Sequence, residues 1–305
     1  MLAGAQPYPA KPVKIIVPFL PGSVVDLTAR TIAQKLTETW SHPVTVESRP
    51  GGGGTGTVGA DVAARSPADG YTWLLAPNSV MIIGPHLVKM PFDVFMDFTP
   101  VAQVAIIPFL LVVSPSLPVK NVTELVNYAK ANPRKLNYGS SGNGSPQHLG
   151  AELIKRSSGI DMVHVPYKGA SQAIADMLGG RLQVFVGAAG SLFPHIKDGK
   201  LRLLASAGNK RLSAFPDVPT IAETLPGVEV DAWLGVFMPA NVPKEIVSRV
   251  VADISSVLNT PEMKASLSGQ GIEVATSSPE ALATTMRDDY ARWGRLIREA
   301  GIRAD

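Results

Sequence analysis

Short β-branched runs alternate with helix-period segments along most of this chain, and that alternation restricts the fold more than any single motif. Val13 to Phe19 (VKIIVPF) reads as a buried strand, after which Ala29, Ile32, Ala33, Leu36 and Trp40 recur at helical spacing. Val44 to Glu47 predicts a second strand. A glycine tract then leads to a small-residue helix around Thr57 to Arg65, and Asp69-Gly70 turns the chain into a third strand, Tyr71 to Ala76. Strand, helix, strand, helix, strand in that order specify a βαβαβ unit with a parallel sheet, and hence the α/β class.

A second series starts after Pro108. Leu110 to Val113 reads as strand, Thr123 to Ala131 as helix, Gln147 to Ser157 as helix, Met162 to Val165 as strand and Ser171 to Leu178 as helix. Val184 to Val186 and Leu201 to Ala205 follow as strands. Val228 to Met238 is long and β-like, Ile246, Val250, Ile254 and Val257 mark an amphipathic helix, and a last helix runs from Pro279 to about Ala300. At 305 residues, against about 150 per domain, two domains are expected. The two long strand-like stretches, Val101 to Val113 and Val228 to Met238, bracket the middle series as two crossings would. The expected domains are 8–106 plus 232–305, and 107–231, with a ligand cleft between them.

Composition removes several classes. Hydrophobic residues make up 45% and charged residues 17%, which excludes a disordered chain. The net charge is +3 with basic residues scattered singly, and aromatics are 6%, so the footprint of a nucleic-acid binder is missing. The longest apolar stretch, Val101 to Val113, is interrupted by Gln103 and Pro108 and falls short of a bilayer span. Cysteine is absent, which removes thiolate nucleophiles, Cys-ligated zinc and disulfides together. Ala3-Gly4-Ala5 has the small-x-small pattern of a signal-peptidase site with no apolar segment before it. An exported protein carrying a new initiator Met fits, and an N-terminus of accidental composition is the plain alternative.

Gly51 to Gly59 (GGGGTGTVG) matches G-x-G-x-x-G twice, as Gly51, Gly53, Gly56 and as Gly54, Gly56, Gly59. The acid that would hold a ribose is missing, because the next strand ends Ala76-Pro77-Asn78. The glycines are therefore expected to serve a tight turn and close helix packing, and no cofactor is expected. Gly139-Ser140-Ser141-Gly142-Asn143 misses the G-x-S-x-G elbow at its fifth residue, and neither H-E-x-x-H nor a P-loop occurs. The five histidines show no i, i+3 or i+4 pairing, so no metal site is expected; His148 remains a ligand candidate because it follows a Gly/Ser loop.

Three loops join small residues to a helix start at the carboxyl end of a strand: Pro21 to Asp26 (PGSVVD), Gly139 to Ser145 (GSSGNGS) and Tyr167 to Ser171 (YKGAS). That edge is where open α/β sheets bind ligands, and helix N-termini favour anions. Ser23, Ser145 and Ser171 also suit plain helix capping.

Tyr8 to Arg30, Glu47-Ser48-Arg49-Pro50-Gly51, Ala68-Asp69-Gly70-Tyr71, Val165 to Gly169 (VPYKG) and Ala232 to Pro239 (AWLGVFMP) resemble the Bug solute-binding proteins, the extracytoplasmic receptors of tripartite tricarboxylate transporters. The resemblance runs from about Tyr8 to Ile302. It implies a two-domain periplasmic binding protein-like (type II) fold with two crossing hinge strands, closing on a small organic acid. It also implies membrane transporter subunits as partners, and a periplasmic location. The family's Pro-Gly-Gly-x-x-Asp loop falls on Pro21, Gly22, Ser23 and Asp26, with Ser23 departing from the second glycine and adding a hydroxyl.

The expected receptor is a non-catalytic monomer. Its ligand carboxylate would lie between Pro21-Gly22-Ser23 and the Ser140, Ser141, Gly142, Ser145 loop, with Asp26 holding its own loop or meeting a ligand donor. Asn78 and Ser79 would contribute from the first domain. Tyr167, Lys168 and Ala170, with Gly187 and Ala188 at the end of the next strand, would contribute from the second. Phe19 and Trp233 are candidate apolar walls, or simply core. A sensor, or an enzyme using the same cleft, is the alternative. Aliphatic dicarboxylates, amino acids, aromatic acids and neutral amides all remain open as ligands.

Overall fold

The computed structural model describes residues 8–52 and 55–303; Met1 to Gln6 and Gly53-Gly54, on which two of the readings above depend, lie outside them. The chain divides into two compact units. One holds the chain up to Ile106 with Trp233–Gly269 and Glu273–Trp293. The other holds Ile107–Ala232 and Gln270–Ile272 with the chain from Gly294 onward. Ala232, residues 270–272 and the described residues from Gly294 onward, which the sequence reading kept with the first domain, fall in the second unit.

In the first unit β1 (Val13–Val17) leads through α1 (Val24–Trp40) to β2 (Val44–Ser48), and α2 (Thr57–Ala64) leads to β3 (Thr72–Pro77). Both β2 and β3 pair in parallel with β1. A π-helical turn, Ser79–Ile83, and the short α3 (Gly84–Leu87) follow β3. α1 starts where Ser23 accepts the N–H of Asp26 and stops where Ser41 enters the left-handed region at φ +54. Between those points Ala29, Ile32, Leu36 and Trp40 are buried, the spacing that predicted the helix.

β4 (Phe98–Val113) begins in the first unit and ends in the second. There follow α4 (Val122–Ala131), β5 (Asn137–Ser140), α5 (Pro146–Ser158), β6 (Val163–Pro166), α6 (Ala170–Leu178), β7 (Val184–Ala188), α7 (Ala189–Lys197) and β8 (Arg202–Ser206). In the second unit β6 and β7 flank β5 in parallel, and β4 runs antiparallel to both β7 and β8. β9 (Asp231–Pro239) returns the chain to the first unit, antiparallel to β3, and is followed by α8 (Lys244–Leu258), α9 (Pro261–Gly269), β10 (Glu273–Val274) and α10 (Pro279–Ala300). β10 pairs antiparallel with Ala105 and Ile106 of β4.

Each sheet is parallel where helices cross over it and mixed as a whole, because β4 and β9 enter without a crossover helix. Among the described residues no helix is long and apolar enough to cross a membrane.

Candidate functional site

Parallel strands joined by crossover helices put every following helix N-terminus on one sheet edge. In the first unit that edge collects the starts of α1 and α2 and the turn after β3. In the second it collects the starts of α5, α6 and α7. The N-termini of α2, α6 and α7 receive no hydrogen bond from a capping side chain. Their N–H groups and positive dipole ends suit an anion.

The β1–α1 loop is organised by Asp26. Its carboxylate accepts the N–H of Gly22 at 2.9 Å, Ser48 Oγ at 3.0 Å, and Arg30 through Nε at 2.9 Å and Nη2 at 3.0 Å. Burial pushes this carboxyl up, but the hydrogen bonds from Arg30, Gly22 and Ser48 outweigh it and hold the group below its ordinary value. With those four bonds Asp26 fixes Gly22, which sits at φ +80 with open space where a Cβ would stand. Pro21 and Gly22 are exposed, Ser23 and Phe19 half-buried. Ser23 Oγ, accepting from Asp26 N, still has its hydroxyl proton to donate.

After β3, the neighbour of β1, Asn78 is buried and Ser79 half-buried, opening the π-helical turn. Trp233, on β9, falls level with this turn, because Leu234 pairs with Pro77. It is 5% exposed, and its indole N–H donates to Asp289 Oδ2 at 2.8 Å, so the structure gives it to the core rather than to an open wall.

Ser140 is the hub of the β5–α5 loop. Its Oγ accepts the N–H of Gly142, donates to the carbonyl of Gly142, and meets His164 Nε2 at 2.6 Å; a ring N–H on Nε2 satisfies all three contacts. A Ser–His contact of this length would suit an activated nucleophile, but Ser140 is wholly buried and its hydroxyl is consumed within the loop. The carbonyl of Ser140 accepts the N–H of Tyr167, tying this loop to the next. Ser141 Oγ donates to Gln147 Oε1, and Ser145 Oγ accepts the N–H of His148 as the α5 cap. His148 Nδ1 in turn accepts the N–H of Gly144.

Beneath these lie Tyr138, whose hydroxyl donates to Glu152 at 2.5 Å, and Lys155, which reaches the same carboxylate at 2.6 Å. Burial, then the Glu152 contact, raises the Tyr138 phenol. Burial also pushes Glu152 up, but Lys155 and Tyr138 prevail and lower it.

The β6–α6 loop is held by Tyr167, whose hydroxyl donates to Asp176 at 2.7 Å; burial and that contact push the phenol up to about 12. Lys168 is exposed, with its N–H donated to Gln172. Ala170 opens α6, and Gly187 and Ala188 end β7 opposite Leu110 and Phe109.

Within each unit, then, the candidates on neighbouring strands share an edge, and Trp233, which follows the Leu234–Pro77 pair toward Asn78, stands at that edge with its side chain buried. The sequence reading missed Arg30, Ser48, His164 and Glu152. The i, i+4 spacing of Asp26 and Arg30 would have suggested the first. His164 emerges only from the register that pairs it with Tyr138. Among the described residues no three His, Asp or Glu side chains converge as a metal-binding group.

Residues 28–302 match the model of the tripartite tricarboxylate transporter family receptor. The chain is 33% identical over 302 residues to protein BugT of Bordetella pertussis, covering 98% of this chain and 92% of that one. A structure of Rpa4515 from R. palustris with adipate superposes with a TM-score of 0.83 at 34% identity, covering 97% and 99% of the two chains. MatC from Rhodopseudomonas palustris with bound malate superposes with a TM-score of 0.78 at 28% identity, covering 95% and 100%.

Proposed function

The chain belongs to the tripartite tricarboxylate transporter receptor family, and on that premise we propose that it is a periplasmic solute-binding protein that captures a small dicarboxylate. The observation that carries this reading is that two structures of the same fold, at 34% and 28% identity, hold adipate and malate. The helix N-termini gathered at one edge of each unit supply what an anion needs without a buried arginine.

One carboxylate would lie between Pro21-Gly22-Ser23 and the 140–145 loop and be met by the Ser23 hydroxyl, since the amides of Gly22 and Ser23 already donate to Asp26 and to the Leu20 carbonyl. Asn78 and Ser79, with Tyr167, Lys168, Ala170, Gly187 and Ala188, would complete the contacts. Domain closure would hold the ligand for delivery to membrane subunits, with the receptor acting as a monomer and no chemistry performed. Asp26, with four donors already on its carboxylate, would hold the loop and leave the ligand to others.

A thermal-shift screen of C4 to C8 dicarboxylates, followed by calorimetry, tests the assignment. Adipate or malate should raise the melting temperature and bind saturably. A screen in which no acid shifts the protein, or in which only neutral amides do, overturns it. Small-angle scattering at saturation tests closure, which predicts a smaller radius of gyration.

A further inference from the structure

Three near-parallel rings cluster behind the β5–α5 loop, with His164 touching both of the others. His148 lies 3.9 Å from His164 with the planes 12° apart, and His164 lies 4.9 Å from Tyr138 at 17°. Each histidine grips a different residue of the loop, His164 at Ser140 and His148 at Gly144, the latter through Nδ1 at 3.1 Å. A backbone N–H only donates, so Nδ1 of His148 carries a lone pair and the ring is neutral, with its proton on Nε2. Gly144 sits at φ +73, between Gly142 at φ +123 and the Ser145 cap. The imidazole thus acts on the most permissive part of the loop.

We infer that His148 is a positioning residue for the ligand loop: its neutral ring holds Gly144, and protonation at Nδ1 releases the loop and weakens carboxylate binding. This rests on the reading of residues 140–145 as part of the ligand site. Groups on every neighbouring element bear on the ring. Glu152 favours the cation. The N-terminal turn of α5, Lys155 and the stacked face of His164 disfavour it, as does Arg303, which lines the same cavity. Tyr138, with its phenol raised, stays neutral. That cavity, of about 480 Å³, is bounded by Asn143, His148, Glu152, Lys155 and the 300–303 turn, and brings solvent to the otherwise buried ring. Imidazole is the side chain whose ordinary charge change falls inside the pH range that the measurement below scans.

Nitrogen-15 NMR of the full chain without ligand, from pH 8 to 5, tests the device. The Gly144 amide should move together with the His148 ring resonances. In His148→Asn, whose Oδ1 offers a non-titrating acceptor near the place of Nδ1, it should not move. With adipate and malate as probes, wild-type affinity should fall about threefold to tenfold across the same range, beyond the ligand's own protonation, which all variants share. His148→Ala should bind more weakly at every pH, and His148→Asn should recover most of that loss without the slope. A Gly144 amide indifferent to His148, or a ring that does not titrate in this range, overturns the inference whether or not either acid binds. Gly144 tracking His148 while neither acid binds supports loop release and counts against the dicarboxylate reading alone.

Discussion

The carboxylate of Asp26 accepts the backbone N–H of Gly22 four residues upstream at 2.9 Å, so the loop before α1 is held by a side chain from inside the helix it precedes. Arg30, one turn further on, closes the other side of that carboxylate. The result is a glycine presented to solvent with its amide direction already chosen.

Asp26→Asn should therefore lower stability by about 1.5–3 kcal/mol at pH 7, the scale of a hydrogen bond to a charged group, as read by urea unfolding. The folded carboxyl lies below its ordinary value of 3.8. Its contribution is thus fully present above that value and is lost as pH falls through the folded one. The gap between wild type and variant should be constant from pH 7 to about 5 and narrow only below 4. A gap that already closes at pH 6 would mean that another group is responsible.

Trp233→Phe keeps an aromatic ring but removes the pyrrole part of the indole with the N–H that Asp289 accepts at 2.8 Å. A loss of about 1.5–3 kcal/mol in stability is expected, with dicarboxylate affinity unchanged in the folded protein. Calorimetry showing a tenfold weaker affinity at unchanged stability would return Trp233 to the ligand wall.

The βαβ parts of the fold were legible because their periodicities are local. α1 shows its buried face at 29, 32, 33 and 36, and its cap stands at Ser23. The π-helical turn at 79–83 was not legible: Val80 to Ile83 are all buried, so no polar residue marks a face. α7 was hidden by Pro194 inside it. Pro108 suggested an interruption in β4, yet it falls between Ile106, which pairs with β10, and Phe109, which pairs with β7, where a missing N–H costs least. The site's loops were visible as Gly/Ser runs at strand ends. The direction of the Ser140 hydroxyl and the indole of Trp233 depend on partners 24 and 56 residues away, beyond any local pattern.

Ser23 carries two roles that a pair of substitutions separates. Its Oγ caps α1, and its hydroxyl proton is the proposed ligand donor. Ser23→Gly should cost only a few tenths of a kcal/mol in helix stability, whereas Ser23→Ala should cost about 1 kcal/mol. Both should weaken dicarboxylate binding by tenfold or more, the loss of a hydrogen bond to a charged group. Wild-type affinity in Ser23→Gly would remove the hydroxyl from the site.

The glycine tract is where motif and physics part, and Gly59 decides between them. A Cβ on Gly59 would stand 2.7 Å from Pro18 Cα and 2.8 Å from the carbonyl oxygen of Arg49, backbone atoms that cannot swing aside. Gly56, at φ +57, would drive a Cβ to 2.8 Å from Pro18. These glycines let α2 sit directly on the end of β1, a packing role that needs no phosphate. Gly59→Ala should accordingly destabilise the protein by about 1–3 kcal/mol in denaturant unfolding, while dicarboxylate affinity survives in the folded fraction. Wild-type protein titrated with NAD or FAD should show no saturable change in tryptophan fluorescence, because Ala76-Pro77-Asn78 ends the next strand without an acid for a ribose. Saturable micromolar binding, abolished by Gly59→Ala at unchanged stability, would make the tract a dinucleotide site after all.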